Sequence, residues 1–477
     1  MTPDSILNGD FSEKRWVDQI SKNFDNEVCN EVPVCVFSVP ESISHFKPEA
    51  YVPLVIALGP YHHFQTHLYQ MERYKVAAIK ALLNLDQVLS FESLVIHRLK
   101  EKDPMIRTCY HKYMNLDDDT LAWIIAIDGL FLLGLFMHYG EIAPLMPKKL
   151  INNGVLYRDV MVLENQIPLC LLNEIWKSLF LSSTVHDDNG DRQLLSMLKE
   201  FCEVHSPLKL ASDSNHGAET NYLHLLDLMY HLIINNQATI EHEDVEDMAK
   251  EDNLTENSDR PMKVIKNIPW EKISNLLGLK IWDDDKEEDD PSRIMEIEIP
   301  SVSSLIKYGR INFSHMIGGI REIKFEESEA TLYLPVITLN GYTEVVLRNL
   351  IAYEMATSSS TPELAQYVNL MSGIVDTEVD VKLLRAKGII EGNMNDKEIA
   401  NLFNGMNKYK GRTNKTIEQL NDYYNNRPGI KAWRFMKKDL LRSQKVATIV
   451  VTVFICLLMI LYSFCEVYGC PRLLDRT

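Results

Sequence analysis

The chain lacks most of the signatures by which enzymes and small metal-binding domains are recognised. None of its eight cysteines forms a CxxC pair, and they are scattered from Cys29 to Cys470. This spacing excludes a zinc finger and a disulfide framework, and it is typical of reduced thiols in a cytosolic protein. The GxSxG, P-loop, GxGxxG and protein-kinase motifs are absent as well, which argues against the enzyme classes that depend on them.

Positive charge is scarce for a protein that would bind nucleic acid. The 477 residues include 49 Lys and Arg against 67 Asp and Glu, a formal net charge of −18. Such a body repels phosphate backbones, so no nucleic-acid partner is expected. The N-terminal stretch MTPDSILNGDFSEKRW also has no apolar core of signal-peptide length, and no secretory signal is predicted.

One long uncharged run lies near the C terminus. Residues 446–465 read VATIVVTVFICLLMILYSFC, and a helix of about 20 such residues is long enough to cross a bilayer. Lys and Arg are dense in residues 431–445 and sparse after the run. The positive-inside rule places this basic flank in the cytosol. The sequence therefore predicts a tail-anchored, single-pass protein with a cytosolic body, in either the plasma membrane or an endomembrane.

Three N-glycosylation sequons compete with this topology. They would carry glycans only if the body lay outside the cytosol. Since no secretory signal precedes them, we expect them to be unmodified. The sequons begin at Asn253, Asn312 and Asn414.

A second apolar run, from Leu121 to Met137, carries Asp128 at its centre. A carboxylate there would cost about 2.5–3.5 kcal/mol in a bilayer. Aspartates at positions 117–119 precede the run and supply a helix N-cap. The run is therefore predicted to be a helix in the protein core, with a break near Gly129.

The whole chain is predicted to be mainly α: a helical globular body with a few short β-strands in the second half, plus one C-terminal transmembrane helix. In MERYKVAAIKALLNL, Met71, Tyr74, Ala78 and Leu82 share one predicted helix face. Alternation and β-branched residues in IMEIEIPSV, REIKFEE and TLYLPVITL predict short strands, and helices are expected to return after them. The predicted divisions are a variable leader (1–30), the helical N-terminal part of the body (31–240), acidic variable loops (241–290), a mixed α/β C-terminal part (291–430), a basic juxtamembrane segment (431–445), the transmembrane helix (446–465) and a short tail (466–477).

The motif GPYHHF, residues 59–64, is the first place where the chain could bind a metal. His63 and His67 have the i, i+4 spacing at which two imidazoles on a helix reach one zinc ion. However, no HExxH pattern accompanies them, and Gly-Pro indicates a turn ahead of the helix. A packed, hydrogen-bonded turn is the preferred interpretation, and neither a metal nor another cofactor is expected. The motif residues are Gly59, Pro60, Tyr61, His62 and His63.

The motif LENQIP, residues 163–168, places three polar residues between apolar runs. A buried Glu164 could act as a general acid or base, and Asn165 and Gln166 could orient a ligand. Alternatively, the same groups satisfy backbone atoms around the helix break that Pro168 forces. The second, structural interpretation is preferred.

The Asp128-Gly129 pair inside the apolar run raises a related question, because a buried carboxylate needs a partner. Arg158, His62 and His63 are the candidates. If Asp128, Glu164 and His63 met in one pocket, they would form a hydrolase-like site. A membrane-bound enzyme built on these three residues is the alternative to a non-enzymatic protein.

Taken together, these stretches resemble a known family. The chain contains VPVCVFSVPESI, PEAYVPLVIALGPYHHF with MERYK, IDGLFLLGLF, RDVMVLENQIPLCLL, HLLDLMY, IPSVSSLIKYGRINF and LRNLIAYE. Their order resembles that of the plant domain-of-unknown-function 247 family, also called UPF0481, from about Val32 to the C-terminal run. Phe64 departs from the small residue often found at its position, and the acidic loops match poorly. The resemblance implies a plant, membrane-associated protein with a largely helical body and no established catalytic activity.

The resemblance also implies a role. Some grass members are proposed to determine self-incompatibility, in which pollen identity is recognised. Variable acidic loops on a fixed helical scaffold, mainly residues 241–260 and 283–290, would suit such recognition. The expected function is therefore that of a non-enzymatic, membrane-anchored interaction protein with an unidentified protein partner, either a self-incompatibility-type determinant or a related signalling component.

Overall fold

The computed structural model shows a mainly helical chain with a few short strands in the second half, as predicted. Contacts between residues divide it into two units. The first comprises Met1–His242, Ile297–Ser303 and Ile311–Ile417, and the second comprises Glu243–Glu296, Ser304–Arg310 and Glu418–Thr477. The residues that the structure describes are 13–25, 34–137, 146, 154–180, 187–210, 222–236, 299–316, 318–357, 362–406, 415–435, 451–460 and 463.

The N-terminal half of the first unit is built from helices joined by turns. Labels are given to α-helices of five residues or more. They are α1 (Glu13–Asp25), α2 (Gln70–Leu82), α3 (Leu85–Leu89), α4 (His97–Glu101), α5 (Asp103–Thr108), α6 (Asp118–Met137), α7 (Val155–Val160), α8 (Leu169–Phe180), α9 (Asp187–His205) and α10 (Leu225–Ile234).

Helix α6 lies at the centre of this region. It is capped by Asp117, whose Oδ1 accepts a hydrogen bond from the Thr120 N–H at 2.7 Å, and most of its residues after the first turn are buried. The predicted core helix is thus confirmed, but the predicted break near Gly129 is wrong because the helix is continuous. Gly129 instead permits close packing of α8, since a Cβ at this position would lie 2.6 Å from Cδ1 of Ile175.

Helix α6 is also the one helix in the described part of the chain that is long and apolar enough to cross a membrane, and 72 % of its most apolar stretch is buried inside the protein. Of the predicted span 446–465, the structure describes 451–460 and Ser463. The described residues Val451–Ile460 form an apolar helix, ten of the about 20 residues that a span requires. The remainder of the run, and residues 436–445 before it, lie outside the described residues.

Five short strands lie in the described part of the second half of the chain. Strand β3 (Thr331–Pro335) pairs in parallel with β1 (Asn312–Met316) and antiparallel with β2 (Lys324–Glu326). Strands β4 (Ile337–Thr338) and β5 (Ile390–Glu391) form a parallel pair. The strands predicted in REIKFEE and TLYLPVITL are confirmed. In IMEIEIPSV, residues 294–298 lie outside the described residues, and 299–302 form no strand.

Helices return as predicted around and after these strands. In the first unit, α11 carries buried polar residues as well as apolar ones, and these connect it to the N-terminal half. The acidic loops 241–260 and 283–290, with two sequons at Asn253 and Asn414, lie outside the described residues. The helices of the first unit are α11 (Thr343–Thr357), α12 (Glu363–Ile374), α13 (Glu378–Ala386) and α14 (Asp396–Asn404). Helix α15 (Lys415–Asn425) belongs to the second unit from Glu418 onward, and α16 (Pro428–Phe435) belongs to it entirely.

Candidate functional site

Residues 52–59 form an irregular, largely buried segment that is held by side chains from distant parts of the sequence. The carboxylate of Asp159 accepts hydrogen bonds from three consecutive backbone N–H groups, those of Leu54 at 2.9 Å, Val55 at 2.7 Å and Ile56 at 3.1 Å. Asp159 is itself fully buried. Buried N–H groups need hydrogen-bond acceptors. The Asp159 carboxylate supplies these acceptors, which in a β-sheet would be carbonyl groups of a neighbouring strand.

Two further motif residues continue the same pattern. Oδ1 of Asn165 accepts from the Leu58 N–H at 2.7 Å, and Nδ2 of Asn165 donates to the Ile56 carbonyl at 3.0 Å. Oδ2 of Asp128 accepts from the Gly59 N–H at 2.9 Å. Side chains from the LENQIP motif and from helix α6 therefore both accept hydrogen bonds from the backbone that leads into GPYHHF.

The cation that pairs with Asp128 is Lys75, which was not among the partners predicted from the sequence. Its Nζ donates to Oδ1 of Asp128 at 2.5 Å, to Oε1 of Glu72 at 2.6 Å and to the Ala57 carbonyl at 2.7 Å. The side chains of Lys75 and Asp128 are both 0 % exposed. Of the candidates predicted for this pairing, Arg158 binds Asp159 instead, at 2.6 Å.

The buried face of α2 differs from the predicted one because it includes Lys75. It consists of Met71, Lys75, Ala78 and Ile79, whereas Tyr74 and Leu82 are half-buried. Lys75 falls at the i+4 position from Met71, within the apolar stripe. A lysine at that position, together with a buried aspartate that needs a cation, is the signal from which the pair could have been found.

Electrostatics keep the ammonium of Lys75 charged. Burial by itself lowers its pKa, but the negative charges of Asp128 and Glu72 outweigh this effect, so that the pKa of Lys75 is raised. Burial raises the pKa of Asp128, although Lys75 acts against this shift. The three groups thus form a compact, hydrogen-bonded charge cluster.

His63 lies beside this cluster. One ligand atom each from His63, Glu72 and Asp128 lie within 4.8 Å of one another, a spacing that a metal ion could bridge. The ammonium of Lys75, however, already binds both carboxylates. The i, i+4 helical geometry suggested for His63 and His67 is wrong, because α2 begins only at Gln70, and His67 is exposed.

The GPYHHF turn is packed between neighbouring segments. The Tyr61 ring meets the Tyr110 ring edge-on, with centroids 5.4 Å apart. The Tyr61 hydroxyl donates to the Val36 carbonyl at 3.3 Å and accepts from the Lys112 N–H at 2.8 Å. His62 is buried, and its Nδ1 lies 2.8 Å from Nε2 of Gln65.

The carboxylate of Glu164 reaches a different part of the protein from Asp128. Its Oε1 accepts from the Val39 N–H at 2.8 Å, and its Oε2 binds the ammonium of Lys112 at 2.6 Å. Nε2 of His62 lies 3.8 Å from Oε2. The structure therefore groups Glu164 with His62 and Lys112, and it groups Asp128 with Lys75, Glu72 and His63.

Gln166 connects several turns. Its Nε2 donates to the Val160 and Val162 carbonyls at 2.6 and 2.9 Å, and its Oε1 accepts from the Leu226 N–H at 3.3 Å. Pro168 directly precedes α8, and its carbonyl accepts from Leu171 in the first turn. A cavity beside Gln166 has a volume of about 10 Å³, room for no more than one water molecule.

A second buried network, not predicted from the sequence, joins α10 to α11. Oδ1 of Asp227 accepts from the Tyr353 hydroxyl at 2.7 Å. The carboxylate of Glu354 accepts from the Leu364 and Ala365 N–H groups, both at 2.9 Å, and so caps α12. The stretches HLLDLMY and LRNLIAYE are thereby held against each other.

Comparison with known proteins agrees with the resemblance seen in the sequence. Residues 36–459 match the model of the family DUF247, described as "Plant protein of unknown function", and the chain belongs to this family. It is 32 % identical to a putative UPF0481 protein of Arabidopsis thaliana over 96 % of each chain. A second Arabidopsis UPF0481 protein is 22 % identical over 78 % of this chain and 72 % of its own. No solved structure matches the chain.

Gly59 is the residue of the motif whose backbone most restricts substitution. Its φ is +73°, and a Cβ would lie 2.9 Å from the Tyr110 hydroxyl and 3.1 Å from the Gln166 carbonyl. We expect Gly59→Ala to lower the free energy of unfolding by about 2–4 kcal/mol, because left-handed strain and overpacking add. Urea unfolding measures this. Gly341→Ala is the matched control, since nothing lies within 4 Å of a Cβ added at this position. Equal losses of stability in the two variants would contradict the packing described here.

Two buried histidines, His62 and His224, and the half-buried His205 predict that acid destabilises the fold. Burial lowers the pKa of His62, His205 and His224 to about 4 in each case, whereas an unfolded histidine titrates near ~6.5. Between these values the unfolded chain binds protons that the folded chain does not, so stability falls as pH falls, by at most about 1.4 kcal/mol per pH unit for each histidine.

Urea unfolding at pH 7.5 and pH 5 tests this dependence. His205→Gln should reduce the slope, whereas His97→Gln, at an exposed position, should leave it unchanged. A free energy of unfolding that stays constant across this range would show that the fold does not hold these histidines in the neutral form.

Proposed function

We propose that this protein is a non-enzymatic interaction protein, anchored in a membrane by residues 446–465, whose helical body carries a recognition surface. The observation that carries this proposal is the engagement of the motif side chains with the protein's own backbone. Asp128, Asp159, Asn165 and Gln166 are buried and hydrogen-bonded to main-chain groups. A catalytic group has to contact a substrate, whereas the hydrogen bonds of these four side chains are made within the protein itself.

The hydrolase-like alternative gains less support. It requires Asp128, Glu164 and His63 to act on one reacting centre. One carboxylate oxygen of Glu164 accepts from the Val39 N–H and the other from Lys112. In the same way, one carboxylate oxygen of Asp128 accepts from the Gly59 N–H and the other from Lys75. The family shown by the comparisons is one of unknown function, so it favours neither reading.

Membrane anchoring is supported by the character of the C-terminal run. In the helix Val451–Ile460, large apolar side chains are exposed, for example Phe454 at 62 % and Ile460 at 64 %. Exposed apolar surface of this kind suits contact with lipid, and the basic residues of 431–445 suit the anionic cytosolic face. The proposed topology places the body in the cytosol.

The recognition role rests on the acidic loops 241–260 and 283–290 and on an unidentified protein partner. We place it in the class of self-incompatibility-type determinants or related signalling components. Loop exchange with a relative tests this role: in-cell crosslinking should report a changed partner set, while thermal unfolding of the body stays the same. A loop of the same composition in scrambled order is the control. A partner set indifferent to the exchange would contradict the proposal.

Topology is tested on the full chain in plant cells. Asn312 is an exposed residue at the start of β1, so its sequon would be available to glycosylation if the body were translocated. We expect no glycosidase shift, and digestion of the body when protease is added to the cytosolic side of sealed membranes. A glycosylated, protease-protected body would reverse the proposed orientation.

A further inference from the structure

Helix α1 carries an apolar side that the described part of the protein leaves uncovered. Trp16, Ile20 and Phe24 follow one another at intervals of four residues, and Val17 adjoins Trp16. With about 3.6 residues per turn, all four fall within one arc of about 100°. Their side chains are exposed, from 43 % for Trp16 to 89 % for Phe24. The four residues therefore form a continuous apolar strip along the helix.

The polar residues of α1 whose side chains the structure describes lie mostly outside this strip. On the same helical wheel, Lys14, Asp18 and Ser21 fall beyond the apolar arc. Glu13 shares the sector of the strip but precedes it, at the first helical position. All four polar side chains are exposed. The helix is therefore amphipathic, and its apolar strip is as accessible as its polar side.

Helix α1 differs in this respect from two comparable amphipathic helices of the body. The apolar side of α8, with Ile175 and Trp176, is buried, and so is that of α14, with Ile399 and Phe403. Helix α1 belongs to the same unit as these helices and contacts α5, so it is attached to the body while its strip stays exposed. Single exposed apolar residues are ordinary, whereas a continuous strip marks a binding surface.

We propose that the apolar strip of α1 lies in the interface of the membrane in which residues 446–465 are anchored. This inference rests on the proposed membrane anchoring. Tryptophan and phenylalanine suit the boundary between headgroups and acyl chains, where an amphipathic helix lies in the plane of the bilayer, about 5–10 Å deep. The anchor and α1 together would hold the body at two points and so restrict its orientation on the membrane.

The charge of α1 determines the kind of lipid contact. Residues 13–25 include as many acidic as basic residues, in a chain whose formal net charge is −18. Attraction to anionic headgroups therefore contributes little, and burial of the apolar strip supplies the free energy of insertion. The contact should accordingly be as strong on phosphatidylcholine as on anionic vesicles, and it should be insensitive to salt.

The proposed anchor compensates for the short length of α1. A helix of 13 residues with one narrow apolar strip buries little surface, so by itself it would bind a bilayer weakly. The anchor keeps the bilayer close to the body, which raises the effective concentration of lipid at α1. A freely diffusing protein partner has no such advantage, and this difference favours lipid as the occupant of the strip.

Tryptophan quenching on the full chain tests the contact. The protein is reconstituted into phosphatidylcholine vesicles that carry bromine either near the headgroup end of the acyl chains or near their terminal methyl groups. The emission that Trp16→Phe removes is the signal of Trp16. We expect shallow bromine to quench this signal by about half and deep bromine to quench it much less, because the helix lies in the interface.

Two paired substitutions separate the lipid contact from other causes. Ile20→Ser combined with Phe24→Ser should abolish the shallow quenching of Trp16, because the strip loses most of its apolar area. Leu85→Ser combined with Leu89→Ser, at exposed positions of α3, is the matched control and should leave the quenching unchanged.

Carbonate extraction of the same vesicles distinguishes the two proposals. A chain that resists extraction but whose Trp16 is not quenched would overturn the contact of α1 and leave the anchor in place. A chain released by carbonate would overturn the anchor, and this inference with it. If Trp16 were shielded from both bromines until the protein was diluted in the vesicles, the strip would bind a second copy of the chain, which would also overturn the lipid contact.

Discussion

Lys75→Met should lower the free energy of unfolding by about 3–5 kcal/mol, because it leaves the buried carboxylate of Asp128 without its cation. No solvent can replace the ammonium, since both side chains are 0 % exposed. Urea unfolding followed by circular dichroism measures the loss. Lys80→Met, on the exposed side of the same helix, is the matched control and should change stability by about 0.5 kcal/mol or less.

The pair can be isolated by a double-mutant cycle. Asp128→Asn keeps an oxygen acceptor for the Gly59 N–H but removes the negative charge. Lys75→Met combined with Asp128→Asn should therefore cost less than the sum of the two single changes, because the fully buried carboxylate is neutralised together with its cation and only the part-exposed Glu72 loses its partner. Additive losses, or a Lys75→Met protein as stable as Lys80→Met, would contradict an ion pair at this position.

Asp159→Ala should have an effect of similar size, about 3–5 kcal/mol. The change removes the acceptor of three backbone N–H groups, on Leu54, Val55 and Ile56, and the partner of Arg158. Each buried amide left without an acceptor costs about 1–3 kcal/mol, partly recovered by relaxation. Thermal and urea unfolding both report the loss, and Asp159→Asn, which keeps one side-chain oxygen, should be intermediate.

Asp191→Ala is the control for this change. Asp191 is exposed and forms a surface ion pair with Lys177 at 3.0 Å, an interaction worth about 1 kcal/mol or less. A loss for Asp159→Ala no greater than for Asp191→Ala would mean that residues 54–56 do not depend on this carboxylate.

The sequence predicted the features that depend on local patterns. Helix α6 follows from an apolar run with an internal aspartate and an aspartate cap, and β2 and β3 follow from alternation. The turn at Gly59-Pro60 follows from its two residue types. In each case the decisive residues lie within a few positions of one another.

The sequence did not predict which polar groups meet. Asp159 binds backbone groups 103 to 105 positions earlier in the chain, and Glu164 binds Val39 across 125 positions. No periodicity encodes such contacts. Lys75 was overlooked because a lysine on an amphipathic helix is ordinarily assigned to solvent, whereas here it completes the charge balance of the core.

These contacts connect the GPYHHF and LENQIP motifs into one hydrogen-bonded unit. Asp128, Asp159 and Asn165 all accept hydrogen bonds from the backbone of residues 54–59. The central claim is that these side chains have a structural role and hold residues 54–59 in place by hydrogen bonds to their backbone. It requires the amides concerned to be closed to solvent in the native protein.

Hydrogen–deuterium exchange at single-residue resolution tests this claim most directly. The account predicts that the amides of Leu54, Val55, Ile56, Leu58 and Gly59 exchange as slowly as those of α6, and that Asp159→Asn accelerates exchange at the first three while leaving the last two protected. Rapid exchange of all five in the native protein would contradict the account, because it would leave the motif side chains without the backbone partners described here.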